Sequence, residues 1–174
     1  MAQVSPYPDG IGPDHLVKGP SPMRAWLPLA VLGAVLLVAL SGVLGGQPNP
    51  VIAATSGSAR LELKAPQVLR NGEFFELRIQ SRAHQAIDRP VVAVSATYWR
   101  DLTINSMIPA PTEEGFADGY FTFEFAPLAA GEVLELKIDG QVNPPLVGVN
   151  RGVLELRDDT RVVARLNPAL RVLP

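Results

Sequence analysis

Between Arg24 and Arg60 the chain carries no Asp, Glu, Lys or Arg. Within that gap, residues 26–45 read WLPLAVLGAVLLVALSGVLG, and Ser41 is the one polar side chain. A helix of about 20 residues matches the roughly 30 Å hydrocarbon core of a bilayer. A core helix of a soluble domain is normally shorter and keeps a polar stripe. Pro28 falls in the first turn, where a missing amide donor costs little. Trp26, close to Arg24, stands where an interfacial anchor is expected. Residues 26–46 are therefore predicted as one transmembrane α-helix in contact with lipid. Gly42 and Gly46 form a small-xxx-small pair, as do Ala30 and Ala34, a spacing that lets helices approach closely.

The competing reading is a cleaved signal peptide, with residues 51–53 or 52–54 as the processing site. Its apolar core is usually about 7–15 residues behind a short basic leader. Here the leader, residues 1–25, contains Asp9 and Asp14 as well as Lys18 and Arg24. A retained anchor is the expectation. Lys18 and Arg24 precede the apolar run and no charge follows it until Arg60. The positive-inside rule then places the proline-rich tail in the cytoplasm and the rest in the periplasm or outside the cell. The tail has no apolar period and is expected to lack structure alone. Residues 47–59, QPNPVIAATSGSA, read as a stalk.

The 15 basic and 17 acidic residues leave a net charge of −2, without the basic face that a nucleic-acid binder carries. With no cysteine, the chain has no disulfide framework and no thiolate chemistry. Seventeen prolines and 15 glycines argue against a helical bundle.

From Arg60 the apolar period becomes two. Leu61 and Leu63, Phe75 to Ile79, Phe121 to Phe125, Leu134 to Ile138, Leu154 and Leu156, and Val162 to Leu166 each alternate with polar residues. These are half-buried strands. Residues 91–99, VVAVSATYW, are apolar on both faces and read as a central strand. Turn chemistry lies between the runs, at Asn71-Gly72, at Ala129-Ala130-Gly131-Glu132 and at Asp158-Asp159. The pattern predicts an all-β antiparallel sandwich over residues 60–174, with a closed barrel as the alternative.

The order NGEFFELRIQSRA, DRPVVAVSATYW, DLTINSMIPAP, FEFAPLAAGEVLELKIDGQV and NRGVLELRD resembles the seven-stranded immunoglobulin-like sandwiches of bacterial surface proteins of the CARDB type. The shared signature is a glycine-containing turn before the second strand and a "PL.AGE" turn, here Pro127 to Glu132, before a long alternating strand. The resemblance implies the fold and brings no catalytic residues with it.

Chemistry is sparse. His84 stands alone in the exported region, and Ser81, three residues earlier, has no Gly-x-Ser-x-Gly elbow. Glu113, Glu114 and Asp118 crowd one short segment, which favours an acidic loop over a glycosidase pair held across a cleft. No cofactor or metal is expected. What remains is apolar surface: Tyr98, Trp99, Ile108, Phe116 and Tyr120, at strand ends or in a loop spanning residues 106–119. Trp99 followed by Arg100 joins two residue types common at interface hot spots. The expectation is a membrane-anchored sandwich that binds a protein partner, as an accessory or assembly subunit. The alternatives are a glycan- or ligand-binding module, with Trp99 and Tyr120 lining a shared pocket, and a carboxylate hydrolase.

Overall fold

The computed structural model describes residues 10–12 and 22–174. The chain divides into two compact units, Met1–Ser41 and Gly42–Pro174. Most of the tail expected in the cytoplasm, Lys18 included, lies outside the described residues.

The first unit contributes α1, Pro22–Leu40, with Pro28 in its N-terminal half. Leu, Val and Ala carry the helix because straight or small side chains lose little freedom in it. Its large apolar side chains, among them Trp26, Leu29, Leu32, Leu36 and Leu40, are exposed around its circumference. The helix ends sooner than residue 46. The Ser41 amide still donates to Leu37 O at 3.0 Å. Gly42, Gly45 and Gly46 then take φ values of 74°, 98° and 81°, a region that stops a helix and favours glycine. Gly42 and Gly46 are thus terminating residues and not a helix-packing pair. The charge-free part of α1, residues 25–40, is about 24 Å long at 1.5 Å per residue, short of the roughly 30 Å of hydrocarbon. Among the described residues no helix is long and apolar enough to cross a membrane.

The second unit is a β-sandwich. Its strands are β1 (Val51–Thr55), β2 (Ala59–Lys64), β3 (Val68–Arg70), β4 (Phe74–Ala83), β5 (Pro90–Ser95), β6 (Leu102–Ile108) and β7 (Glu113–Ala117). There follow β8 (Tyr120–Glu124), β9 (Val133–Val142), β10 (Gly148–Arg151), β11 (Leu154–Asp158), β12 (Arg161–Leu166) and β13 (Ala169–Leu173). One five-stranded sheet runs β1-β2-β4-β9-β6 and another β12-β11-β5-β8-β7, with every pairing in both antiparallel. A three-stranded sheet, β10-β13-β3, pairs β13 with β3 in parallel.

Alternation sets the core. Leu63, Ile79 and Leu136 stand in one cross-strand row, and all three are buried. On the opposing sheet Phe123, Val92 and Leu156 form a matching row. Each such leucine contributes roughly 1.5–3 kcal/mol by leaving water. β5 is buried along its whole length between β8 and β11, the central position that its two apolar faces predicted, but it ends at Ser95, and residues 96–99, expected to continue it, form a turn. The predicted turns form at Gly72 (φ 76°), Gly131 (φ 91°) and Asp159 (φ 56°).

Two assignments change. Residues 51–55, expected in the stalk, form β1 and pair with β2 from Val51↔Lys64 to Thr55↔Arg60. The loop expected over residues 106–119 contains the end of β6 and all of β7. Asp118 and Gly119, both at positive φ, make the two-residue turn that joins β7 to β8.

Candidate functional site

β6 and β7 are the last strands of their sheets on the same side of the sandwich, and each pairs on one edge only. Between them lies an open cavity of about 380 Å³, lined by Trp99, Leu102, Ile104 and Met107 from one side and by Glu114, Phe121 and Phe123 from the other. The register of β6 against β9 slips between Ile104 and Ser106, leaving Asn105 as an extra residue. Such a bulge bends an edge strand and interrupts its hydrogen-bonding row.

The floor is aromatic. Trp99 lies 5.7 Å from the Phe121 ring and 5.4 Å from Phe123, and Phe121 lies 5.0 Å from Phe116. All three pairs are tilted, an arrangement favoured by ring quadrupoles. Trp99 is buried, while Phe116 is 61 % exposed. Phe116 and Glu114, two apart in β7, share one strand face. The Trp99 Nε1 donor is buried with no hydrogen-bond partner. An unmet donor of this kind costs on the order of 1–3 kcal/mol.

The turn carrying Trp99 is held from below. Asn150, itself buried, donates to Arg100 O at 2.7 Å and Tyr98 O at 3.3 Å, and accepts from the Arg100 guanidinium at 3.1 Å. The Ser95 hydroxyl accepts from the Val153 amide at 2.8 Å. Gly152 permits this closeness: a Cβ there would meet Ser95 Oγ and would stand 2.6 Å from Tyr98 Cβ.

The structure divides the six residues singled out for partner binding. Trp99 lines the cavity, and Phe116 packs on the Phe121 ring beside it without lining the cavity. Ile108 is exposed at the end of β6 without lining the cavity. Arg100 is committed to Asn150 and stands 3.7 Å from Asp101. Tyr98 is buried and faces a different cavity. Burial pushes its hydroxyl from the ordinary 10.0 up to about 12. Tyr120 alternates with Phe121 and so leaves the core face; its ring lies under the Arg157 guanidinium at 4.7 Å. Trp99 and Tyr120 therefore do not share a face of the sandwich. Trp26 is exposed on α1.

Phe121, Phe123 and Met107 were not singled out from the sequence. Alternation assigns Phe121 and Phe123 to a closed core, Met107 falls in the loop expected over residues 106–119, and nothing local shows that the core opens at this side. The acids do not converge either. Glu113 and Glu114 take opposite faces of β7, and Asp118 sits in the hairpin turn. Ser81 is fully buried, and among the described residues no cluster of His, Asp or Glu is arranged to hold a metal ion.

No family model matches the chain, and no curated protein matches it. Among solved structures it is similar to a non-cellulosomal cohesin from the archaeon Archaeoglobus fulgidus, at 12% identity and a TM-score of 0.42, over 63% of this chain and 88% of that one. The chitin-binding domain of a Pyrococcus furiosus chitinase matches at 18% identity and 0.40, over 66% and 100%. A CARDB domain from the same organism, solved with two metal ions, matches at 16% and 0.36, over 68% and 97%. The CARDB type named from the sequence is thus among the structural neighbours.

Proposed function

We propose that this protein is a non-enzymatic binding module, held at a membrane by α1, whose partner is an extended protein segment docked along β6 and β7. The observation that carries this reading is the pairing of two unpaired sheet edges with an aromatic floor between them. A strand added to either edge gains main-chain hydrogen bonds, and alternate side chains of that strand would fall into the cavity. Glu114 supplies the one charge of the lining. A segment of alternating apolar residues with a nearby Lys or Arg suits the aromatic floor and this charge.

Membrane tethering is supported by α1 itself, whose exposed Leu and Val side chains would be costly in water. A full crossing requires the helix to continue through residues 41–46. Lipid favours that continuation, because open backbone groups find no water there. With Lys18 ahead of the helix and Arg24 in its first turn, the tail faces the cytoplasm and the sandwich the outside. Protease applied outside sealed cells then leaves an N-terminal tag intact; a tag digested from outside overturns this orientation.

The docking edge is tested by photo-crosslinking residues introduced at Phe116, at Met107 and, on the far edge strand β12, at Val162. The expected result is one discrete adduct from Phe116 and Met107, lost in Trp99→Ala, with none from Val162. Equal adducts from all three positions, or an adduct from Val162 alone, would contradict the reading.

A further inference from the structure

Tyr98, although adjacent to Trp99, opens onto the other side of the turn. There the three-stranded sheet meets the β1–β2 end of the first sheet around an open cavity of about 410 Å³. That volume lies in the lower part of the range for small-molecule sites, about 300–1,000 Å³. The walls are mainly apolar, with Pro50, Ile52, Pro66 and Pro168 among them, and Arg171 is the one charged residue in the lining. No carboxylate lines the cavity, and no ion pair engages Arg171 among the described residues.

Arg171 is well placed to act. It lies in β13, the middle strand of its sheet, paired with Val149 on one side and Val68 on the other. Its amide donates to Gln67 O at 2.8 Å. Tyr98 is 4 % exposed, and its hydroxyl meets no hydrogen-bond partner among the described residues. That hydroxyl is not among the sealed-off polar atoms of the interior, which are Ser81 Oγ and Trp99 Nε1. Tyr98 is one of the residues that line the cavity. Burial keeps the phenol protonated through neutral pH, so it acts as a donor. The site therefore offers an apolar body, one guanidinium and one neutral O–H donor.

We propose that this cavity binds a small organic monocarboxylate, its apolar body against the proline-rich wall and its carboxylate shared between Arg171 and the Tyr98 hydroxyl. Both groups suit a carboxylate, since guanidinium matches its two oxygens and a charge-assisted bond is stronger than a neutral one. A phosphate would bring a second charge with no second cation in the lining to meet it. The site is separate from the β6–β7 cleft, and its failure would leave that reading standing.

The sequence has three tyrosines, at positions 7, 98 and 120, so 3-fluorotyrosine labelling of the full chain gives three fluorine signals assignable by Tyr→Phe variants. Titration with 3-phenylpropionate should move the Tyr98 signal saturably and leave that of Tyr120 in place. Its amide, 3-phenylpropanamide, should bind about tenfold more weakly, as should the acid in Arg171→Gln, a loss of one charge-assisted contact. Arg171→Lys should fall between. Arg171 is exposed, so neither variant touches the core. A Tyr98 signal that stays still overturns the proposal. So does an amide that binds as tightly as the acid, or a Kd unaffected by Arg171→Gln.

Discussion

The two open sides of the sandwich differ in how the sheets meet. At one side β1 and β12 approach within 8 Å between Cα atoms, and β12 also comes within that distance of β2. At the other, β6 and β7 stand on either side of a cavity of about 380 Å³. Side-chain size accounts for the contrast. On the inward faces β1 brings Ala54 and β12 brings Ala164, small residues that let backbones come close. The other side presents Met107, Phe121 and Phe123 beneath the indole of Trp99, and this bulk fills the floor while leaving the edges apart. A sandwich thus closes where its edge residues are small and holds a cleft where they are large.

The most damaging way to break this contrast is to remove the prop. Trp99→Ala should lower stability by about 4 kcal/mol, read from urea unfolding, because a large buried ring leaves a cavity that its neighbours only partly fill. A loss under about 1 kcal/mol would show that the floor does not depend on the indole.

Alkaline unfolding sharpens the role of the neighbouring residue. The Tyr98 hydroxyl is raised by burial from 10.0 to about 12, so between these values the unfolded chain releases a proton that the folded chain retains. Stability is complete below pH 10 and falls as pH rises towards 12, by about 3 kcal/mol for two units of pKa. Tyr98→Phe should flatten this limb of the pH profile. A profile unchanged by the variant would mean that another group carries it.

Enlarging one residue on each side compares them directly. Ala54→Leu, at the partly buried face of β1, should cost about 2 kcal/mol by overpacking the close approach. Met107→Phe, facing the open cleft, should change stability by less than about 0.5 kcal/mol. Equal costs would contradict the assignment of one side as closed and the other as open.

The smallest effect belongs to the surface. Arg89 bonds Glu124 at 2.8 Å and Asp159 at 2.7 Å, and its bond to Glu124 holds that carboxyl below the ordinary 4.5. Its contribution is present above pH 4.5 and is lost as pH falls through the lowered value. Arg89→Ala should remove this acid-side dependence, and added salt should shrink it in the unaltered protein.

The strands easiest to read from the sequence are those whose inner face is packed along its whole length. β2, β4, β8, β9, β11 and β12 announce themselves by alternation, and β5 by the absence of it. β1 hides because Ala53 and Ala54 give no apolar contrast, and β7 because Glu113, Glu114 and Gly115 resemble a loop. What makes β7 a strand is its partner β8, through Glu114↔Phe123 and Phe116↔Phe121. The same holds for the site. Trp99 and Phe116 stand out as large aromatics, but their meeting through Phe121 depends on two sheets whose separation no local pattern records. The early end of α1 was legible in principle, since Gly42, Gly45 and Gly46 follow the leucine run; hydrophobicity alone concealed it.

The central claim is that the partner occupies the open side. Amide hydrogen exchange of the full chain, with and without the partner captured at Phe116, tests it strand by strand. Free protein should exchange readily along the outer edges of β6 and β7, where no neighbouring strand protects the amides. Binding should slow exchange across residues 102–108 and 113–117 while leaving residues 51–55 and 161–166 unchanged. Protection appearing on β1 and β12, with none on β6 and β7, would contradict the account.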